Sequence, residues 1–161
     1  MKRNSLLSLI AIILFIGSLG LTTATAADGK ISLDRALKMI TAAEEKAKSI
    51  GVPMVITVLD DGGNMVAQHR MDDALLVSVE ISLNKAYTAL AVKISTDKIG
   101  ELAQPGKTLY GIQNRSRMII FGGGFPIKVG DKVIGAIGVS GGSVEDDIQC
   151  AKAGLAAFSA K

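Results

Sequence analysis

The stretch Gly122 to Gly142, GGGFPIKVGDKVIGAIGVSGG, constrains the fold of this chain more than any other. Phe125 to Val129 and Lys132 to Val139 are apolar runs joined by Gly130-Asp131, a hairpin pattern, and the second run feeds a glycine-rich turn that opens a helix. Gly135, Gly138, Gly141 and Gly142 let a helix, a neighbouring subunit or a ligand come close to the sheet. Gly138-Val139-Ser140-Gly141-Gly142 also satisfies the G-x-S-x-G nucleophile pattern in its strand–turn–helix context. A serine nucleophile of that kind is followed in the chain by its histidine base, whereas the single histidine, His69, lies upstream. The serine hydrolase reading of Ser140 is therefore rejected in favour of a packing role. A phosphate cradle fails too: neither dinucleotide nor Walker spacing is present, and Glu145, Asp146 and Asp147 would repel the anion.

Lys2 and Arg3 precede an apolar run from Leu6 to Leu21 that ends in Ala24-Thr25-Ala26, the pattern of a secretory signal peptide over residues 1–26. The run of about 16 residues is short for a membrane span. The expectation is a periplasmic or secreted protein, not membrane-bound after cleavage, whose single domain covers residues 27–161. That domain of about 135 residues is long enough for its own core. The net charge of +3 rests largely on Lys2 and Arg3, so the remainder is nearly balanced. Nucleic acid is a poor partner on that count, and Arg115-Ser116-Arg117 reads as a solvated basic loop. One cysteine, Cys150, allows no intrachain disulfide and sits in a helical pattern as a small buried hydrophobe.

Ser32 caps a helix in which Leu33, Leu37, Ile40, Ala43 and Ala47 fall at helical spacing up to Gly51. A strand from Met54 to Leu59, the turn Asp60-Asp-Gly-Gly-Asn64 and a strand from Met65 to Met71 form a hairpin, with Asp60 and Asp61 as turn formers rather than metal ligands. Residues Val77 to Asn84 alternate like a strand, but Val79, Leu83, Ala86 and Leu90 trace a helical face, and one helix from about Leu75 to Lys93 is the better reading. A short helix from Thr96 to Leu102, strands at Met118 to Phe121, Phe125 to Val129 and Lys132 to Val139, and a helix from Val144 to Phe158 capped by Ser143 complete the order. Such an order, with two antiparallel hairpins and no regular βα alternation, predicts an α/β (α+β) sandwich around an antiparallel sheet.

Three residues carry the candidate chemistry. His69 is either an ordinary strand residue or a metal ligand; with one histidine and one cysteine a tetrahedral zinc site is hard to assemble, whereas haem needs one or two axial ligands. Lys85 and Thr88, three apart on the helix, either bind a carboxylate or propionate through charge and hydroxyl, or form the wet face of that helix.

Asp61-Gly-Gly-Asn64, His69-Arg-Met-Asp72, Asn84-Lys-Ala-Tyr-Thr-Ala89, Gly123-Gly-Phe-Pro126 and Ile134-Gly-Ala-Ile-Gly-Val-Ser-Gly-Gly142, followed by Asp146-Asp147, carry a resemblance over nearly the whole mature chain. In that order they resemble the HbpS and GlcG family of haem-binding proteins, whose domain also forms the C-terminal part of PduO-type corrinoid proteins. The resemblance implies a profilin-like fold with a central antiparallel sheet of about five strands flanked by helices. It further implies a homo-oligomer, from dimer to octamer, that binds haem or another tetrapyrrole, corrinoid less so, for iron or haem sequestration or for signalling to a sensor protein. By position, His69 becomes the candidate axial ligand of haem iron and Lys85 and Thr88 the candidates for holding a propionate. Met71-Asp-Asp-Ala74 departs from relatives that commonly carry glycine after the first aspartate, which alters the end of the second strand beside His69. Two other readings stand beside this one: a small-molecule enzyme with a pocket at a subunit interface, and a ligand-free structural or signalling oligomer.

Overall fold

In the computed structural model, which describes residues 29–159, Ser32 opens α1 (Leu33–Ile50) by accepting a hydrogen bond from the Arg35 backbone N–H, and Gly51 closes it at φ 70°. The leader read at residues 1–26 lies outside the described residues. The buried face of α1 is Ala36, Met39, Ile40, Ala43 and Ala47, while Leu33 and Leu37 are exposed. This rotates the face expected from the leucine spacing. Small side chains decide it: Ala43 and the Met39 carbonyl meet Gly154 of the last helix, where an added Cβ would come within 2.8 Å of that carbonyl.

The chain then forms β1 (Val55–Asp60), β2 (Met65–Arg70), α2 (Val77–Val92), α3 (Thr96–Leu102), a 3-10 turn (Ile112–Asn114), β3 (Gly124–Val129), β4 (Lys132–Ser140) and α4 (Val144–Ser159). The sheet is antiparallel in the order β2-β1-β4-β3. Helices α1 and α4 cover one face and α2 the other, which is the predicted α/β sandwich. Asp60 accepts from the backbone N–H groups of Gly62 and Asn64, each at 2.9 Å, and fixes the β1–β2 turn. At α4, Ser143 Oγ accepts from the Asp146 N–H while Asp146 Oδ2 accepts from the Ser143 N–H, a capping box with aspartate in the usual glutamate place.

The sheet has four strands rather than about five, because residues 118–121 form no strand. Their backbone is engaged elsewhere: the Ile119 N–H donates to the buried Thr88 hydroxyl, and the Ile120 carbonyl rests where a Cβ on Gly100 would stand. An apolar run held by a helix side chain has no ladder to join.

The α1/α4 face is aliphatic, built around Met39, Ile40, Ile56, Val58, Ile137, Val139 and Cys150. Burial pushes the Cys150 thiol up to about 11, so it is a packing residue. The α2 face is small and polar instead. Thr57 and Ser82 share a hydrogen bond of 2.8 Å, Gln68 donates to Thr57 at 2.7 Å and to the Val79 carbonyl at 3.0 Å, and Ser140 donates to Ser78 at 3.1 Å. Ser140 is buried in that layer, as its packing role requires.

Candidate functional site

His69 lies on β2, an edge strand, where it pairs with Ile56 of the aliphatic core and therefore faces the α1 side. Strand alternation sends its neighbour Gln68 to the α2 side. The imidazole Nδ1 stands 2.8 Å from Glu44 Oε1 on α1, and 44 % of the His69 side chain is exposed. An ionised carboxylate only accepts, so in this contact Nδ1 is the donor and Nε2 is left for a second partner. A carboxylate-oriented imidazole of this kind is the usual support of a histidine metal ligand. Beside it a groove of about 350 Å³ is lined by Glu44, Lys48, Arg70, Met71 and Asp72. Arg70, one of these, donates to the Ala74 carbonyl.

Lys85 occupies a different environment. It is the largest fully buried side chain among the described residues. Its Nζ donates to Asp147 Oδ2 at 2.5 Å and to the Val139 carbonyl at 3.1 Å, with the Phe121 ring centroid 4.8 Å away. Burial pushes the Lys85 amine down and the Asp147 carboxyl up, each opposed by the attraction of the other. Gly123, at φ 116°, lets the chain pass so close that a Cβ there would sit 2.9 Å from Nζ. The amine thus ties α2, β4 and α4 together. Thr88 is equally enclosed: its hydroxyl lies 2.7 Å from the Asn84 carbonyl and 3.0 Å from that of Arg117, and accepts from the Ile119 N–H.

One protomer therefore brings Lys85 and Thr88 into one interior but leaves His69 on the opposite face of the sheet. Neither the ammonium nor the hydroxyl is presented to the His69 groove. Among the described residues no group of three or more His, Cys, Asp or Glu side chains could hold a metal ion. A metal at His69 would have to arrive with most of its ligands, as in a macrocycle. Glu44 escaped the sequence reading, since nothing in spacing links a helix residue to a strand 25 positions on. Arg115, Ser116 and Arg117 are exposed, as the solvated-loop reading expects, and the Arg117 guanidinium also lies 3.8 Å from the Tyr87 ring centroid.

Comparison with known proteins adds identity to this geometry. Residues 31–156 match the family model described as "Haem degrading protein HbpS-like". The chain is 51% identical over 131 residues, 80% of this chain and 92% of the relative, to the uncharacterized 15.0 kDa protein in the dhaT-dhaS intergenic region of Citrobacter freundii. It is 39% identical over 123 residues, 75% of this chain, to the corrinoid adenosyltransferase PduO of Salmonella typhimurium, of which it spans 37%. Among solved structures, the PduOC:heme complex is similar at a TM-score of 0.77 and 38% identity, covering 80% of this chain and 94% of that one.

Proposed function

The chain belongs to the HbpS-like family, and from that premise we propose that it binds haem or a closely related tetrapyrrole, with His69 Nε2 as the axial ligand. The observation that carries this reading is the Glu44–His69 pair, an exposed imidazole whose second nitrogen is already held by a carboxylate at 2.8 Å. The donor set fits the group: a bound haem supplies four equatorial nitrogens and an iron that accepts one imidazole, and His69 offers one. Lys48 and Arg70, which line the adjoining groove, are placed to meet its propionates, while Lys85 and Thr88 are enclosed on the other face of the sheet. The similar structure of the PduOC:heme complex supports haem, while the corrinoid adenosyltransferase supplies only a weaker pointer to corrinoid, since the chain spans 37% of it.

A groove of about 350 Å³ is at the small end for ligand pockets and leaves most of a macrocycle uncovered. The reading therefore includes a second copy of the chain over the other side of the ligand. Leu75, Leu76 and Val77, consecutive and exposed, lead into α2 just beyond the Arg70–Ala74 contact and supply an apolar covering surface. Export with cleavage after Ala26, for haem or iron sequestration or sensing, completes the proposal.

Protein purified from the periplasm of its host tests both parts. It should begin at Ala27 and, titrated with hemin, develop a saturable Soret band at one haem per one or two chains. A free-hemin spectrum at every ratio would contradict the binding reading, and a retained leader would contradict export.

A further inference from the structure

The loop at residues 114–118 is fastened to α2 and presses an arginine against an aromatic ring. Thr88 holds it through the Arg117 carbonyl and the Ile119 N–H, and Arg117 Nε donates to Asn84 Oδ1 at 3.2 Å. Arg117 adopts φ 67°, a left-handed conformation that costs a non-glycine residue free energy and that persists only where surrounding contacts impose it. Its two Nη groups bond to no described residue, and no carboxylate among the described residues lies within 4.0 Å of Lys93, Arg115 or Arg117. Tyr87 walls two adjoining hollows. One, of about 430 Å³, is lined by Tyr87, Asn114, Arg115, Ser116 and Met118; the other, of about 390 Å³, includes Leu90, Ala91 and Lys93. Lys93 is also left-handed, at φ 64°. Asp61 is the single acid lining either hollow, so cations prevail.

We propose that Arg117, stacked on the Tyr87 wall of the hollow that Asn114, Arg115, Ser116 and Met118 also line, binds the carboxylate of a small organic acid, separately from any tetrapyrrole at His69. A guanidinium stacked on a ring and held through Nε keeps its Nη edge in a fixed plane, the geometry that matches the two oxygens of a carboxylate. Arg115 adds a second cation, and Tyr87 with Met118 offers apolar contact to an aromatic or unsaturated body. The hollow lies on the α2 side of the sheet and His69 on the α1 side, so one ligand cannot span both within a protomer. This assignment does not depend on haem binding, and its test is made without haem.

Benzoate titrated into the haem-free mature protein, followed by NMR at the Ile119 amide and the Arg117 Nε–H, should give saturable shifts. In Arg117→Gln the Ile119 shifts should saturate at roughly tenfold higher benzoate, the loss expected for a charge-assisted hydrogen bond. Arg115→Gln, at the exposed rim, should weaken binding without disturbing the Arg117–Tyr87 stack and serves if the first variant loosens the loop. His69→Ala and hemin-loaded protein should bind benzoate as the parent does. Linear shifts without saturation, parental affinity in both arginine variants, or loss of benzoate binding on hemin loading would each overturn the proposal.

Discussion

Gly138→Ala is expected to leave no stably folded protein. Gly138 sits at the middle of β4, paired with Thr57 of β1 on one side and Gly124 of β3 on the other. A Cβ added there would stand 2.0 Å from the Ser82 carbonyl oxygen and 2.6 Å from the Ala86 backbone nitrogen. Both obstacles are helix backbone, which no rotamer change can move. Helix α2 would have to lift off the sheet, breaking the Thr57–Ser82 and Ser140–Ser78 hydrogen bonds and drawing Lys85 away from the Val139 carbonyl. Overpacking alone costs about 1–3 kcal/mol, and the loss of buried polar contacts adds to it. The sum takes most of the roughly 5–15 kcal/mol that holds a domain folded. Circular dichroism should show no cooperative melt, or the protein should be insoluble. Gly130→Ala is the control, with nothing within 4 Å of its Cβ and a φ of 56°, and should cost only about 1–2 kcal/mol.

Lys85→Met should destabilise the protein by about 3–5 kcal/mol at neutral pH, because it strands the Asp147 carboxylate in the interior. The loss should shrink in acid. Burial already pushes the Asp147 carboxyl above its ordinary value of 3.8, and without the lysine nothing of opposite charge opposes that push. Between that raised folded value and 3.8, the folded variant holds a proton that the unfolded chain has released, so stability rises as pH falls through the window. Asp147→Asn added to Lys85→Met removes the charge while leaving a carbonyl for the Gly142 N–H, and should recover part of the loss at neutral pH. Urea unfolding midpoints from pH 4 to pH 8 check all three statements. A deficit that is constant with pH would show that lost packing, and not the stranded charge, sets the cost.

The elements were legible where pattern and punctuation agreed. Ser32 and Gly51 bracket α1, the Asp60 turn fixes the first hairpin, and the glycines from Gly122 onward mark the second, all of which depend on nearest neighbours in sequence. What escaped depends on distant partners. Residues 118–121 have strand composition, but a threonine some thirty positions earlier takes their backbone donor. The inward face of α2 was obscured for a related reason. Its apolar positions Val79, Leu83 and Leu90 pack at the margin, while serines, a threonine and a lysine turn inward, because the glycine-bearing strand beneath admits only small groups or groups with fixed partners.

The candidate site shows the same division. His69 could be singled out as the one imidazole, and its strand placed, but the carboxylate that orients it comes from α1 and follows only from the packing of α1 on β2. Helical spacing puts Lys85 and Thr88 on one side of α2, and both are buried there. Whether such a pair faces solvent, ligand or interior is set by the loop and helix that close over it.

The proposed ligation of iron by His69 Nε2, with Glu44 orienting the ring, is read from the optical spectrum of the ferric hemin complex of the parent and of His69→Ala. The variant is expected to lose the ligand-field bands of histidine-bound iron, added imidazole to restore them, and Glu44→Gln to shift them without abolishing binding. An unchanged spectrum in His69→Ala would contradict it.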